Sequence, residues 1–232
     1  MPSRKESMLV VDDDPRMLRM MQMILESEGY QVLLASNGED ALNMLVKGNI
    51  DLILLDIMMP GMDGYTTCSR IREFSQLPII MVTARGNVEE IAKGLNCGAD
   101  DYVTKPFSSK VFLARMKAVL RRVKLPEKPT EPIFQSGDLV VDFTQRQITM
   151  AGKRIELTAT EYKLLSYLIQ NAGHLATSDQ ILESVWGDEY IGEHLILRVN
   201  IARLRSKLGD DAKEPKFIAS RVGIGYMFIK SR

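Results

Sequence analysis

The sequence predicts an α/β fold: a doubly wound five-stranded parallel sheet, followed by a smaller α+β domain. Three observations carry that prediction. Short apolar runs alternate with helical periods through the first 122 residues. A stretch rich in proline and charge, Lys124-Leu-Pro-Glu-Lys-Pro-Thr-Glu-Pro132, then interrupts the pattern. Beyond it come short alternating segments and three helical periods, closed by a glycine-containing hairpin.

Composition bounds the rest. A chain of 232 residues has room for two ordinary domains, and 45% hydrophobic residues can fill two cores. The formal net charge is zero, which removes a global field but leaves local patches free to bind. No apolar run is long enough to span a bilayer, and no apolar segment of signal-peptide type follows Met1–Met8. Cys68 and Cys97 are too few and too far apart for a disulfide framework or a zinc box. The expectation is a reduced, cytoplasmic protein with no membrane partner. His174 and His194 are not spaced as metal ligands and read as ordinary surface or packing residues.

The first strand is Met8-Leu-Val-Val11, ending in Asp12-Asp13-Asp14. Asp14 caps a helix whose first turn takes Pro15, with Met17, Leu18, Met21, Ile24 and Leu25 at helical spacing, stopped at Gly29. Gln31–Leu34 is a second strand. Asn37 caps a helix carrying Ala41, Leu42, Met44 and Leu45, ended at Gly48. The third strand is the apolar run ending in Asp56, broken at once by Pro60-Gly61; a run of that kind is buried on both faces. A helix near Tyr65–Phe74, a strand Pro78–Val82, a helix near Val88–Cys97, a strand Asp101–Thr104 and a helix near Ser108–Arg122 complete the domain. The flavodoxin-like order 2-1-3-4-5 puts the carboxyl ends of strands one and three together at the switch point, where such sheets bind ligands.

That topology gathers what the sequence scatters. Asp12, Asp13, Asp56, Thr83 and Lys105 all fall at one edge of the sheet. Three carboxylates there repel one another unless a cation offsets them, and hard oxygen donors with room for water suit Mg²⁺. An aspartate beside Mg²⁺, an ammonium and a hydroxyl is equipped to accept a phosphoryl group.

Residues 8–122 resemble the receiver domain of bacterial two-component response regulators. The resemblance rests on Leu9-Val-Val-Asp-Asp-Asp14, Leu55-Asp-Ile-Met-Met-Pro-Gly-Met-Asp-Gly64, Val82-Thr-Ala84 and Gly98-Ala-Asp-Asp-Tyr-Val-Thr-Lys-Pro-Phe107. It implies that Asp56 is the phosphoacceptor, served by a histidine kinase. It implies that Asp13, Asp56 and the Met58 carbonyl ligate Mg²⁺, that Asp12 acts through water, and that Lys105 pairs with the phosphoryl group across a cis bond to Pro106. Thr83 and Tyr102 would be the switch pair. Met58 and Arg85 would influence the dephosphorylation rate. The family's dimer face maps onto Asp100, Asp101, Arg115, Lys117 and Arg122. An ion pair usual there falls on Ile91 and Val111, both apolar. That implies an apolar contact across a phosphorylated homodimer, the alternatives being that both residues are buried or that the dimer differs.

The second half reads, in order, as Ser136–Asp142, Gln147–Met150, the turn Ala151-Gly152 and Lys153–Leu157, a small antiparallel sheet. Thr158-Ala-Thr-Glu161 is a capping box opening a helix with Leu164, Leu165, Leu168 and Ile169 on one face. Thr177 or Ser178 caps a short helix through Ile181, Leu182 and Val185. A loop, Trp186–Glu193, precedes a long helix from His194 to Leu208, stopped by Gly209. Leu197, Ile201, Leu204 and Leu208 make its core stripe. Arg198, Arg203, Arg205 and Lys207 make it a basic ridge with no acid from Leu195 to Gly209, and Asn200 and Arg203 are expected on a face away from the core. A hairpin, Lys216–Ile229, turns around Gly223 and Gly225, and helices followed by such a hairpin make a winged helix-turn-helix.

Leu157-Thr-Ala-Thr-Glu161, Leu204-Arg-Ser-Lys-Leu208 and Gly223-Ile-Gly-Tyr226 resemble the effector domain of OmpR/PhoB-type regulators. By that resemblance the 194–208 helix enters the major groove of promoter DNA. Asn200 and Arg203 would read bases, and Arg205 and Lys207 would meet phosphates. Arg198 stands where the family has an acid. Val222 replaces the usual wing arginine, with Arg221 one place earlier. The loop acids Asp188, Glu189 and Glu193 fit a contact to RNA polymerase. The expected layout is a receiver at 1–123, a linker at 124–132 and a DNA-binding domain at 133–232. The expected role is a phosphorylation-controlled transcription regulator, not an enzyme: residues 133–232 offer no nucleophile with a base, metal cluster or phosphate-cradling glycine loop. A receiver driving a catalytic output and a constitutive DNA binder are the rivals.

Overall fold

The computed structural model describes residues 4–84, 88–124 and 132–230. The chain divides into two compact units, Met1–Leu120 and Arg121–Arg232. Most of the expected linker, 125–131, and Arg85 lie outside the described residues.

In the first unit the elements alternate: β1 Ser7–Val11, α1 Pro15–Ser27, β2 Gln31–Ala35, α2 Gly38–Lys47, β3 Leu52–Asp56, α3 Gly64–Arg72, β4 Ile79–Thr83, α4 Val88–Asn96, β5 Asp101–Thr104 and α5 Ser109–Lys124. The strands form one parallel sheet in the order β2-β1-β3-β4-β5, as the spacing predicts. Every residue of β1, β3 and β4 is buried, as strands between two helical layers must be. Alternate residues feed opposite cores. Val10, Leu54 and Val82 pack with Phe112 and Met116 of α5, while Leu9, Leu55 and Met81 pack with Ala41 and Cys68 on the other face.

Local chemistry starts the helices. Asp14 accepts from the Arg16 N–H ahead of α1, Asn37 from Asp40 ahead of α2, and Asp63 from Thr66 ahead of α3. The last of these places the start of α3 against the end of β3. A Cβ on Gly64 would collide with the Asp56 carbonyl oxygen and the Ile57 Cα, both backbone atoms that cannot swing aside. Gly64→Ala therefore forces α3 away from the strand that carries Asp56. The expected cost is about 1–3 kcal/mol, the range for overpacking, read as a lower denaturation midpoint. An unchanged midpoint would show that the loop yields freely.

The second unit opens with a four-stranded antiparallel sheet, β6 Ile133–Ser136, β7 Leu139–Asp142, β8 Gln147–Met150 and β9 Lys153–Ile155, in sequential order. β6 shares only Ser136 with the first segment read from the sequence, Ser136–Asp142, so Ile133–Gln135 went unread; Gly137, at φ 56, separates β6 from β7. Ala151 and Gly152, at φ 49 and 76, form the tight turn between β8 and β9. α6 Ala159–Gln170 carries both halves of the Thr158/Glu161 capping box. α7 Ser178–Val185 is capped by Thr177, whose partner is Gln180. α8 His194–Leu208 ends on Gly209 at φ 64. A second sheet joins β10 Ala176–Thr177, β12 Gly225–Phe228 and β11 Ile218–Arg221. The two-residue β10 was too short to leave a sequence pattern. The segment before α8 is more than a loop. It contains a 3-10 turn, Asp188–Tyr190, and both Trp186 and Tyr190 are fully buried.

Candidate acidic site and candidate nucleic-acid interface

The carboxyl ends of β1, β3 and β4 bring Asp12, Asp56 and Thr83 to one edge, at 2%, 4% and 1% exposure. Lys105, just past β5, reaches across them. Its Nζ donates to Asp12 Oδ2 at 2.8 Å and to Asp56 Oδ1 at 2.6 Å. The second oxygen of Asp56 accepts the Met58 N–H at 2.7 Å, and Asp12 Oδ1 accepts the Asp14 N–H at 2.9 Å. The Lys105 N–H is held by the Thr83 carbonyl, and the Lys105–Pro106 bond is cis. Asp13 is exposed at the rim.

Burial raises the Asp56 pKa above the ordinary carboxylate value; Lys105 pulls it down, and the neighbouring Asp12 carboxylate pushes it up again. Burial works against the Lys105 ammonium too, but its bonds to Asp12 and Asp56 outweigh it and its pKa is raised. One ammonium is thus shared by two buried carboxylates, with Asp13 adding a third negative charge nearby. Among the described residues no three His, Cys, Asp or Glu side chains are gathered as a metal cluster. Mg²⁺ does not need one, since one or two carboxylates, a backbone carbonyl and waters suffice. Asp13, Asp56 and the Met58 carbonyl are donors of that kind.

Tyr102 is half-buried on β5, opposite Met81 and two residues from the Thr83 rung, with the Arg115 guanidinium 5.3 Å from its ring centre. The expected dimer residues are not all at a surface. Asp101 is fully buried and paired with Arg115 at 3.1 Å. Lys117, half-exposed, pairs with Glu28 at 2.6 Å. Val111 is exposed, whereas Ile91 is buried. Two expectations need correcting. Asp100 faces inward, because its carboxylate accepts the Ile79 N–H and pairs with Arg72. Arg122 belongs to the second unit and is 3% exposed, between the Trp186 and Tyr190 rings.

The basic helix α8 is corrected as well. Asn200 is fully buried and its amide donates to the Ile196 carbonyl at 2.8 Å. Arg203 and Lys207 clamp the two oxygens of Glu161 at 2.8 and 2.6 Å. Arg205 is 9% exposed and donates to the Ile218 carbonyl and Ser220 hydroxyl of β11. These groups tie the helix to α6 and to the hairpin. The outward row is instead His194, Arg198, Ala202 and Ser206, at steps of four. It flanks a groove of about 700 Å³ whose walls include Thr177, Ser178, Asp179, His194, Arg198 and Arg221. His194 Nε2 meets Asp179 Oδ1 at 2.9 Å across this groove. His194, read from the sequence as an ordinary surface or packing residue, is exposed as the first residue of α8. Val222, at the hairpin tip, is 99% exposed.

Comparison with known proteins agrees with this layout. The family described as "Response regulator receiver domain" matches residues 8–117, and "Transcriptional regulatory protein, C terminal" matches residues 152–228. The probable transcriptional regulator ycf27 of Porphyra purpurea is 42% identical, covering 98% of this chain and 96% of the relative. That of Cyanophora paradoxa is 41% identical, covering 98% of each. The response regulator DrrB of Thermotoga maritima, described as an OmpR/PhoB homologue, is 34% identical over 98% of this chain and 100% of its own, with a TM-score of 0.53. A RitR mutant is 26% identical over 96% of this chain and 98% of its own, with a TM-score of 0.77. With a receiver fold, a winged-helix domain and these relatives over almost its whole length, the chain belongs to the OmpR/PhoB family of two-component response regulators, which are DNA-binding transcription regulators.

Proposed function

We propose that Asp56 accepts a phosphoryl group from a histidine kinase, and that the phosphorylated chain binds promoter DNA as a dimer. The observation that carries this is the Lys105 ammonium shared between Asp12 and Asp56 at the switch point. An Asp56 oxygen attacks phosphorus, and the donor leaves with its bonding pair. Met58 holds the other carboxylate oxygen through its N–H. Lys105 transfers its bond from the Asp56 carboxylate to an equatorial phosphoryl oxygen. When bound through Asp13, Asp56 and the Met58 carbonyl, with Asp12 acting through water, Mg²⁺ supplies charge neutralisation at the phosphoryl oxygens. The Thr83 hydroxyl then bonds a phosphoryl oxygen, and Tyr102 follows it inward. The population shifts to a form that pairs through Val111 and the Arg115 and Lys117 side chains, with the buried Asp101 holding Arg115 in place.

In this reading residues 1–123 are the receiver, 124–132 the linker and 133–232 the effector. Dimerisation raises the effective concentration of the second effector domain on paired half-sites. The exposed acids Asp188 and Glu189, with Glu193, offer RNA polymerase a contact. Among the described residues no helix is long and apolar enough to cross a membrane, and a cytoplasmic location is proposed with the rest.

The test is sizing of the full chain with Mg²⁺, with and without a small phosphodonor. Monomer should become dimer with donor, Asp56→Asn should stay monomeric, and Val111→Glu should take up phosphate yet pair more weakly. A dimer regardless of donor would make the chain a constitutive binder, and strong pairing by Val111→Glu would place the interface elsewhere.

A further inference from the structure

The hairpin tip carries a feature that neither site above uses. Val222 is 99% exposed and Ile224 51% exposed, on either side of Gly223. A single exposed apolar residue needs no explanation, but two on one short tip make a contact surface. The tip is held in place. Gly223 supplies the positive φ of 75 that closes the turn, and the Ile224 N–H donates to the Arg221 carbonyl at 3.0 Å. The Ile224 carbonyl accepts the Ser178 N–H at 2.9 Å and the Ser178 hydroxyl at 3.3 Å, which pins the turn to the start of α7. β12 pairs with β10 so closely that a Cβ on Gly225 would strike the Ala176 carbonyl oxygen. Val and Ile are stiff at their first side-chain torsion, so little freedom is lost when they are covered.

The surroundings say what covers them. Val222 and Ile224 line the same groove as His194 and Arg198 of the outward row of α8, with Arg221 at the base of the hairpin. Arg198 and Arg221 suit phosphates, so the tip is continuous with the DNA interface. A major groove about 12 Å wide admits a helix, whereas the minor groove beside it, about 6 Å wide, admits only a narrow turn. A tip of two apolar side chains offers the floor of that groove no hydrogen bond. The guanine 2-amino group is the one donor that projects from the floor. Covering it with Val222 or Ile224 strips its water and replaces no hydrogen bond.

We infer that Val222 and Ile224 enter the minor groove next to the major groove taken by α8, and select flanking base pairs that lack the guanine 2-amino group. Discrimination there comes from what the tip rejects rather than from a bond that it makes. The inference rests on the proposed binding of promoter DNA through α8.

The test uses the full chain with Mg²⁺ and phosphodonor, and a labelled duplex recovered by selection from a random pool. The base pairs flanking the α8 site are set to A·T, G·C or inosine·C. Inosine·C keeps the major-groove edge of G·C but lacks the 2-amino group. Anisotropy should show A·T and inosine·C flanks bound alike, and about fivefold tighter than G·C. Val222→Ser with Ile224→Ser, both at exposed positions, should reduce that preference below about twofold while the Trp186 fluorescence transition stays in place. Arg198→Ala should weaken binding to all three duplexes and keep the flank preference. Inosine·C bound as weakly as G·C would overturn the inference in favour of major-groove reading. A flank preference that survives the double serine change would also overturn it. Equal binding of all three flanks would remove the inference alone, whereas recovery of no duplex at all would remove promoter binding with it.

Discussion

Glu161→Ala is expected to destabilise the second unit by about 3–5 kcal/mol, the range for breaking a buried ion pair from one side. Glu161 is fully buried and serves three partners. One oxygen pairs with Arg203 at 2.8 Å; the other pairs with Lys207 at 2.6 Å and accepts the Thr158 N–H at 2.9 Å, closing the α6 capping box. Truncation takes the Glu161 carboxylate away from the Arg203 guanidinium at 11% exposure and loosens α8 from α6. Lys207, at 31% exposure, recovers part of its solvation and adds less. Glu161→Gln keeps an acceptor for the cap and should cost less than alanine. The chain's one tryptophan, Trp186, is buried in this unit, so its fluorescence reports the transition directly. A midpoint change worth under about 1 kcal/mol would mean that α8 is held by its apolar stripe alone.

The contrast between the two halves follows from what patterns encode. In the receiver, the acidic site sits where strands end, and strand ends are written in the sequence as apolar runs stopped by Asp12, Asp56 and Thr83. Once the strand order is inferred, convergence follows without knowing any side-chain direction. Asp100 escaped because it lies between elements, where no period says which way a carboxylate turns; the Ile79 N–H and Arg72 turn it inward. In α8 the apolar stripe was legible, but the face beside it was assigned by polarity. Asn200 and Arg205 are polar yet buried, because each finds an internal carbonyl. A charge in a sequence does not state whether its partner is solvent, nucleic acid or the protein's own backbone. Arg122 makes the same point, since nothing local announces the two rings it lies between.

That distinction separates the arginines of α8 experimentally. Arg198→Ala should lower affinity for specific DNA by about 1–3 kcal/mol, roughly five- to 150-fold, and flatten discrimination at one base pair. It should leave stability within about 0.5 kcal/mol, since Arg198 lies on the exposed row. Arg203→Ala should do the reverse. It leaves the buried Glu161 carboxylate with Lys207 as its cation and the Thr158 N–H as its cap, so stability falls first and any DNA loss tracks the unfolded fraction. Asn200→Ala removes a bond inside α8 and should leave base preference intact. Arg221→Ala, beside the apolar Val222 tip, should weaken all sequences alike and reduce the salt slope by about one phosphate contact. Anisotropy titrations across salt, on a bound site and on its single-base variants, separate these outcomes. If Arg203→Ala lost base discrimination while its Trp186 transition stayed in place, the Glu161 pair would open on DNA. Arg203 would then be a reader held in reserve, and the outward row led by Arg198 would be only the approach to the groove.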